Sequence, residues 1–326
     1  MRIGIFAAAA GLLSACSPVY VYKAARGQAR LMASRRPIEK VIADPAAPPE
    51  LKDKLGLVLD IRRFAEGPMA IPPTKNYTQY ARVPGEAVTH VVSACRKTRF
   101  EAKTWWFPFV GRVPYKGYFD RADAEKEQGG LEAAGWDSYV GGVTAYSTLR
   151  WFKDPVLSTM VGRPPGEVAE LLLHELTHTA VYFKDQADFN ETAATFFGRQ
   201  GAKEFLAARF GPDSPQLAEY RKTLEEDDER SRLFDELYDG LEKLYASPAS
   251  EAEKLERREE IFGRYRPRLA VKTLDNAVVL MYHRYHYDLG DFAKEYDRLG
   301  QDWRKMLTAM KGLDPRDPRQ ALKAIP

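Results

Sequence analysis

The segment Leu172-Leu173-His174-Glu175-Leu176-Thr177-His178 decides how this chain is interpreted. Residues four apart on an α-helix lie on one face, one turn apart, so His174 and His178 can direct a ring nitrogen to the same point. Glu175 lies one step around the helix from His174. This His-Glu-x-x-His pattern is typical of a helix on which two imidazoles hold Zn²⁺ while the glutamate acts as a general base.

The residues around the motif predict a helix that is buried on most sides. Pro164 and Pro165 mark its start, and Glu167 would lie in the first turn, where the helix dipole favours a carboxylate. Buried imidazoles need polar partners, which a metal ion would supply. Core histidines satisfied by hydrogen bonds are the alternative. An apolar stripe recurs at helical spacing in Leu172, Leu173, Leu176, Ala180 and Phe183.

A third metal ligand is predicted at Glu191, and twelve residues separate it from His178. A short loop over residues 184–188 would turn the chain back. Glu191 would then lie in the first turn of a second helix packed against the motif helix. Thermolysin-like enzymes have an Asn-Glu pair at the corresponding place, and Asn190 precedes Glu191 here.

Other ligand patterns are weighed against this one. Val181 and Lys184 stand where the metzincin pattern needs Gly and His, which excludes that subclass. Asp185 and Asp188 are alternative ligands. Asp188 and Glu191 also have the spacing of a capping box, so a purely structural role for Glu191 is the competing interpretation.

The predicted ligands define a reaction. Two His and one Glu leave one of four zinc positions for water, whose pKa the metal lowers toward about 7. Glu175 would take the proton of that water and pass it to the leaving amine. An oxyanion donor is expected from the C-terminal helix, with Tyr285 the first choice and Tyr282 the second. Ordinary packing is the alternative role for both tyrosines.

The first sixteen residues are predicted to be a lipoprotein signal peptide. Arg2 precedes the apolar run 3–13, which is too short for the roughly 20 residues of a transmembrane helix. Leu13-Ser14-Ala15-Cys16 resembles a bacterial lipobox, in which the cysteine is joined to lipid. A plain signal peptide is the alternative. The expected location is the cell envelope, lipid-anchored and facing the periplasm, and Ser17 favours the outer membrane.

Composition limits the possible partners. The chain has 326 residues, a formal net charge of +3 and 44% hydrophobic residues, which is ordinary for a globular protein. Basic residues do not form a stripe interleaved with aromatic residues, so a nucleic-acid partner is not expected. The second cysteine, Cys95, lies in an apolar run and is expected to be a buried free thiol, with no disulfide partner. A peptide substrate and, through the lipid, a membrane are the expected partners.

The predicted fold class is α+β and predominantly helical. A single domain over residues 17–326 would follow the signal peptide. A small antiparallel sheet would precede the motif helix, and the C-terminal half would be helical. The expected parts are N-terminal helices over 21–66, a sheet region over 76–146, active-site helices over 164–211 and C-terminal helices over 215–313.

Four segments together resemble a bacterial family described as putative aminopeptidases, many of them lipoproteins of about this length. The resemblance implies a zincin-like fold, one Zn²⁺ per chain and removal of N-terminal residues from peptides. Lys116 and Arg150 depart from the family pattern, which has Arg and Gly at these positions. The four segments are Arg36-Pro37-Ile38-Glu39, residues 114–120, residues 141–149, and residues 174–178 with 189–191.

The resemblance also implies where a peptide would bind. In zincins an edge strand before the motif helix pairs with the substrate backbone. Residues 138–145 are the natural candidate, and a bulge or turn at the paired glycines is the alternative. The substrate-binding residues are expected to be Gly141, Gly142, Val143, Ala145 and Tyr146.

Three functional hypotheses therefore follow from the sequence. The first is a zinc-dependent aminopeptidase of the cell envelope. The second is an envelope metalloendopeptidase with the same site. The third is a non-catalytic metal-binding lipoprotein, against which the intact Glu175 argues, because a structural metal site has no use for a base.

Overall fold

The computed structural model describes residues 17–107, 111–144, 153–284 and 289–324. The predicted signal peptide with Cys16 lies outside these residues. The chain divides into two compact units, each assembled from three separate segments. Unit 1 comprises Met1–Ala33, Pro84–Thr144 and Asp227–His286, and unit 2 comprises Ser34–Val83, Ala145–Glu226 and Tyr287–Pro326.

Helices account for most of the described residues, and the strands are short. The helices are α1 Pro18–Ala33, α2 Ile38–Ala43, α3 Pro49–Glu66, α4 Arg121–Ala133, α5 Ser158–Val161, α6 Pro165–Ala180, α7 Ala187–Phe210, α8 Pro215–Ala246, α9 Glu251–Leu269, α10 Asn276–Arg284, α11 Gly290–Arg298, α12 Trp303–Lys311 and α13 Pro318–Lys323. The strands are β1 Arg36–Pro37, β2 Gln79–Ala81, β3 Thr89–Cys95, β4 Trp105–Phe107, β5 Gly111–Val113, β6 Lys116–Tyr118, β7 Asp137–Val143 and β8 Val156–Leu157.

Unit 1 contains an antiparallel sheet in the order β6-β3-β7, in which β7 is a terminal strand. The register pairs His90 of β3 with Tyr118 on one side and with Gly142 on the other. α4 packs on this sheet, and β4 and β5 form a separate hairpin. A small apolar core lies among these elements and consists of Val92, Ala94, Trp105, Ala124 and Leu131.

A buried set of polar residues, here named the closed polar cluster, also belongs to unit 1. It consists of Arg258, Asp137, Asn276 and Tyr245. Arg258 makes a bidentate ion pair with Asp137, with N···O distances of 2.9 and 3.2 Å. The backbone N–H of Asn276 donates to the same carboxylate at 3.1 Å, and the Tyr245 hydroxyl donates to the Asn276 side chain at 2.8 Å. Each buried charge in the cluster therefore has protein partners.

Unit 2 contains a three-stranded sheet and the motif helix. β1 pairs antiparallel with β2, and β2 pairs parallel with β8. α6 carries the His-Glu-x-x-His motif and packs along α7, and α3 packs against α6. The apolar side of α6 is buried, which includes Val168, Ala169, Leu172, Leu173 and Leu176.

The mostly helical α+β architecture with small sheets is confirmed, although details differ from the prediction. The predicted sheet was antiparallel, but β2 and β8 pair in parallel. These two short strands are far apart in the sequence. The N-terminal helical region is interrupted by β1, since Pro37 cannot donate a helical hydrogen bond. Cys95 is buried at the end of β3, and its burial agrees with the prediction. None of the described helices is long and apolar enough to cross a membrane.

Candidate metal centre

α6 presents its polar residues on the side opposite its buried face. Its N-cap is Pro164, with Pro165 in the first turn, and the helix ends where Val181 adopts an extended conformation. His174, Glu175 and His178 are half-buried, whereas their apolar neighbours are fully buried. The helix therefore carries the two imidazoles and the carboxylate on its less buried side.

The loop between α6 and α7 is fixed by the buried side chain of Asn190. Its amide donates to the carbonyl of Phe183 at 2.7 Å and its oxygen accepts from the N–H of Phe183 at 2.8 Å. These two bonds satisfy both backbone groups of Phe183, a buried residue of the loop that follows α6. They also hold the first turns of α7 beside α6, so Glu191 faces the two histidines.

The ligand atoms of His174, His178 and Glu191, named here the metal triad, lie close together. The two Nε2 atoms are 3.2 Å apart. Nε2 of His174 is 3.3 Å from Glu191 Oε2, and Nε2 of His178 is 3.5 Å from Glu191 Oε1. Tetrahedral Zn²⁺ with bonds of about 2.0–2.1 Å requires ligand atoms about 3.3–3.4 Å apart. The three separations therefore fit one tetrahedral ion. Among the described residues, His174, His178 and Glu191 could together hold a metal.

Electrostatics favour the protonation state that a metal needs at His178 and Glu191 but not at His174. Burial would lower the pKa of His174, but its hydrogen bond to Glu191 and the charges of nearby carboxylates raise it, so a metal must displace a proton from this imidazole. Burial and the neighbouring charge of His174 lower the pKa of His178 to about 4, so this imidazole is neutral at pH 7. Burial alone would raise the pKa of Glu191, but its hydrogen bond to His174 and the charges of both histidines lower it. Glu191 is therefore ionised near neutral pH, and the triad offers one carboxylate and an uncharged imidazole.

Glu175 lies beside the triad in a more apolar environment. Burial raises the pKa of its carboxyl group, the charges of Glu191 and Asp154 raise it further, and His174 opposes them. An effective general base has a pKa near the working pH, and the raised pKa of Glu175 brings it closer to that value.

Two residues near Glu175 were not predicted from the sequence. Asp154 is 3% exposed and its carbonyl accepts from the N–H of Tyr77 at 2.7 Å. Tyr77 is 2% exposed and has φ 57°, an uncommon conformation for a non-glycine residue. Burial, followed by the charges of Glu175 and Asp154, raises the pKa of the Tyr77 hydroxyl. Tyr77 lies 98 positions and Asp154 lies 21 positions before Glu175, so no local pattern relates them to the motif.

Glu170 lies one turn before His174 on α6 and has its own partners. The Tyr220 hydroxyl donates to it at 2.8 Å, and Nε of Arg199 lies 3.5 Å from its other oxygen. Its negative charge is among the influences that raise the pKa of His174, although burial acts in the opposite direction. Glu170 thus contributes to the field at the triad without being part of it.

A close approach of the two helices occurs at Gly198 of α7. A Cβ atom at this position would lie 2.9 Å from the carbonyl oxygen of Glu170 and 3.2 Å from Cβ of His174. Only glycine permits this backbone-to-helix distance. The sequence contains the glycine, but the neighbour that makes it necessary is visible only in the structure.

The remaining predicted site residues lie elsewhere. Tyr282 belongs to unit 1, where its ring stacks on Phe234 with centroids 4.0 Å apart. Gly141, Gly142 and Val143 lie in β7 of unit 1. Tyr285, Ala145 and Tyr146 lie outside the described residues.

The alternative ligands can also be placed. Asp185 and Asp188 are exposed and are not in the triad. The N-cap of α7 is Gln186, which makes no side-chain capping bond, so Asp188 and Glu191 do not form a capping box.

Comparison with known proteins gives one result. A family model described as "Putative aminopeptidase" matches residues 19–325. No curated protein and no solved structure matches the chain significantly.

Proposed function

Because this chain belongs to the putative aminopeptidase family, we propose that it is a zinc-dependent peptidase. The metal triad would hold one Zn²⁺, and Glu175 would be the general base. The spacing of the three ligand atoms, 3.2 to 3.5 Å, is the observation that supports this most strongly, because it fits a tetrahedral ion. The family description and the geometry of the triad favour the same reaction class.

The chemistry divides between the metal and the chain. When bound, Zn²⁺ supplies Lewis acidity, which polarises a scissile carbonyl and makes water more acidic. Glu175 accepts a proton on a carboxylate oxygen and donates it to the leaving amine nitrogen. Its raised pKa suits both steps, since the group must gain and then release a proton near neutral pH. Tyr285, and after it Tyr282, remains the proposed oxyanion donor.

The first experiment separates metal binding from catalysis. Glu175→Gln keeps the size of the side chain but cannot accept the proton, so we expect it to retain about one zinc per chain while kcat falls at least about 100-fold. Glu167→Gln, in the first turn of the same helix, is the matched control and should retain both zinc and activity. Hydrolysis that survives in Glu175→Gln would contradict the assignment of the base.

The second experiment distinguishes the two kinds of peptidase. Aminopeptidase action is proposed from the family description, and recognition of the substrate backbone is proposed at Gly141, Gly142, Val143, Ala145 and Tyr146. Peptides with free and with acetylated N-termini should then be cleaved at very different rates. Equal cleavage of both would identify an endopeptidase. A protein that binds zinc but cleaves neither would be the non-catalytic lipoprotein.

The proposed location is the cell envelope, with lipid attached at Cys16 and the protein facing the periplasm, in the outer membrane rather than the inner one. The lipobox-like sequence and the following Ser17 support it. Fractionation of cells that produce the wild type and Cys16→Ser tests it. The wild type should carry acyl chains by mass spectrometry and sediment with outer membranes. Absence of acylation in the wild type would refute the anchor.

A further inference from the structure

α1 of unit 1 carries a row of cations. Lys23, Arg26 and Arg30 are exposed and recur at intervals of three and four residues, which places them on one face of the helix. An adjacent face packs on unit 1. There a Cβ atom on Gly27 would lie 2.3 Å from the ring of Phe119, so helix and ring are in close contact. The cationic row is therefore held in a fixed position beside the rest of the unit.

A cavity of about 690 Å³ opens between α1, β6 and α4. Its deepest polar residue is Lys116, which is 9% exposed and lies 3.3 Å from the carboxylate of Glu127. Glu127 also accepts from the Tyr118 hydroxyl at 3.0 Å and from the Trp105 indole at 3.1 Å. Burial would raise the pKa of Glu127, but the charge of Lys116 and these bonds lower it. The innermost part is thus a satisfied ion pair.

The outer part of the cavity has an excess of positive charge. Lys23 pairs with Asp123 at 2.7 Å, and Asp120 caps the N-terminus of α4. Four other cations that line the cavity make no ion pair with a residue in the described parts of the chain: Arg26, Arg30, Lys103 and Lys126. The cavity is therefore suited to an anion, because these four cations add to the two lysines that the protein already pairs with carboxylates.

Exposed apolar side chains lie next to these cations. Val19 and Tyr22 of α1 are 62% and 65% exposed, and Trp106 of β4 is 47% exposed. Trp106 precedes Phe107, whose ring centroid is 6.2 Å from that of Tyr20 on α1. Phe107 of β4 and the N-terminal part of α1 therefore belong to one region of unit 1, whereas Trp106, its neighbour along the strand, points to the opposite face of β4. Aromatic and aliphatic side chains beside basic ones are characteristic of surfaces that lie in a membrane interface.

We infer that this face of unit 1 docks on an anionic phospholipid membrane, with headgroup phosphates entering the cavity beside Arg26 and Arg30. The cations provide the attraction to anionic lipid, and Val19 and Tyr22 of the same helix enter the interface. A nucleic acid or an acidic protein would use the cations but would leave the apolar side chains in water. α1 begins two residues after Cys16, so a lipid anchor there would act beside the same membrane. The docking itself requires neither the acyl chains nor hydrolysis.

The experiment uses the chain from Ser17 to Pro326, which retains every described residue and lacks Cys16. Its binding is measured by sedimentation with vesicles of phosphatidylcholine alone and of phosphatidylcholine with phosphatidylglycerol. We expect binding only to the anionic vesicles, and loss of binding at 0.5 M salt. Each basic residue near such a surface contributes about fivefold, so Arg26→Gln with Arg30→Gln should weaken binding about 30-fold.

The matched control is Arg257→Gln with Arg264→Gln, two exposed arginines on α9 of unit 1. It removes two positive charges, as the test variant does, and should bind anionic vesicles as the wild type does. Equal losses in both double variants would assign binding to net charge and overturn the inference. Equal binding to neutral vesicles would also overturn it. Saturable binding of glycerol phosphate in solution without binding to vesicles would overturn it too, because that result would indicate a site for a free phosphate compound.

Discussion

Each unit of this protein contains buried polar residues, and the two sets differ in how they are satisfied. In the closed polar cluster of unit 1, the Arg258 guanidinium and the Asp137 carboxylate neutralise each other, and Asn276 completes the hydrogen bonds. In the metal triad of unit 2, two imidazole nitrogens and a carboxylate converge within 3.5 Å.

The difference concerns which atoms are brought together. A donor that meets an acceptor neutralises a buried group, and the resulting cluster supports the fold. A protonated His174 can donate to Glu191, but once that proton is lost three lone pairs converge on one point, and a cation completes them. Burial of polar residues therefore does not itself indicate a binding site. A binding site is indicated instead by acceptor atoms that converge on one point.

The largest expected effect is the loss of the metal from His178→Ala. One of three ligand atoms disappears, so we expect zinc affinity to fall by more than about 100-fold. Loss of a residue that only supports a ligand lowers affinity by about 10- to 100-fold. Metal analysis after dialysis and the stability of the metal-free protein are the measurements. A variant that still holds one zinc per chain, or whose metal-free form is strongly destabilised, would contradict the prediction. It would show that the triad supports the fold, as the closed polar cluster does.

The opposite behaviour is expected from Arg258→Ala. Removal of the cation leaves the Asp137 carboxylate buried without its charged partner, which should lower the free energy of unfolding by about 3–5 kcal/mol. Zinc content should not change. Arg257→Ala, one residue earlier and exposed, is the control and should alter stability by less than about 0.5 kcal/mol. Urea unfolding measures both, and a small effect of Arg258→Ala would show that the closed polar cluster is not structural.

A smaller effect is expected from Gly198→Ala, which tests whether the triad depends on the close approach of α6 and α7. The added Cβ would meet the Glu170 carbonyl oxygen at 2.9 Å, so we expect about 1–3 kcal/mol of destabilisation and about a 10-fold loss of zinc affinity. Gly240→Ala in α8 is the control, because nothing lies within 4 Å of its Cβ position. It should stabilise the helix by about 0.5–1 kcal/mol. Unchanged zinc affinity in Gly198→Ala would separate helix packing from ligand placement.

The last effect depends on pH and concerns Asp275, which lies beside the closed polar cluster. Burial, with a further contribution from the charge of Asp137, raises the pKa of Asp275 to about 6, while backbone hydrogen bonds and Arg258 oppose the rise. Its folded-state pKa is above the unfolded value, so the stability it contributes is present below about pH 4 and is lost as the pH rises through 6. Asp275→Asn should therefore be more stable than the wild type by about 3 kcal/mol at pH 8 and nearly equal to it at pH 4. Urea unfolding at both pH values provides the measurement, and a constant difference would contradict it.

The parts of the site that are close in sequence could be predicted. His174, Glu175 and His178 lie on one helical turn, and Glu191 follows after a short loop, so helix geometry relates all four. Tyr77, Asp154 and Gly198 escaped prediction for the opposite reason. Each acquires its place near the motif through packing with residues distant in the chain.

The same distinction holds for the fold. Helical periodicity gave α3, α6 and the helical C-terminal half, because each helix forms hydrogen bonds within its own segment. The parallel pairing of β2 with β8 joins residues about 75 positions apart, so no local pattern reports it.

The sequence by itself determined that two imidazoles and a carboxylate lie on one helical face of this protein, because an α-helix has a fixed periodicity. It also placed a third candidate ligand within reach. Only the tertiary structure decided that the three ligand atoms converge at distances suited to one tetrahedral ion. That convergence depends on the Asn190 loop and on the contact at Gly198, where side chains and backbone from separate helices must fit in three dimensions.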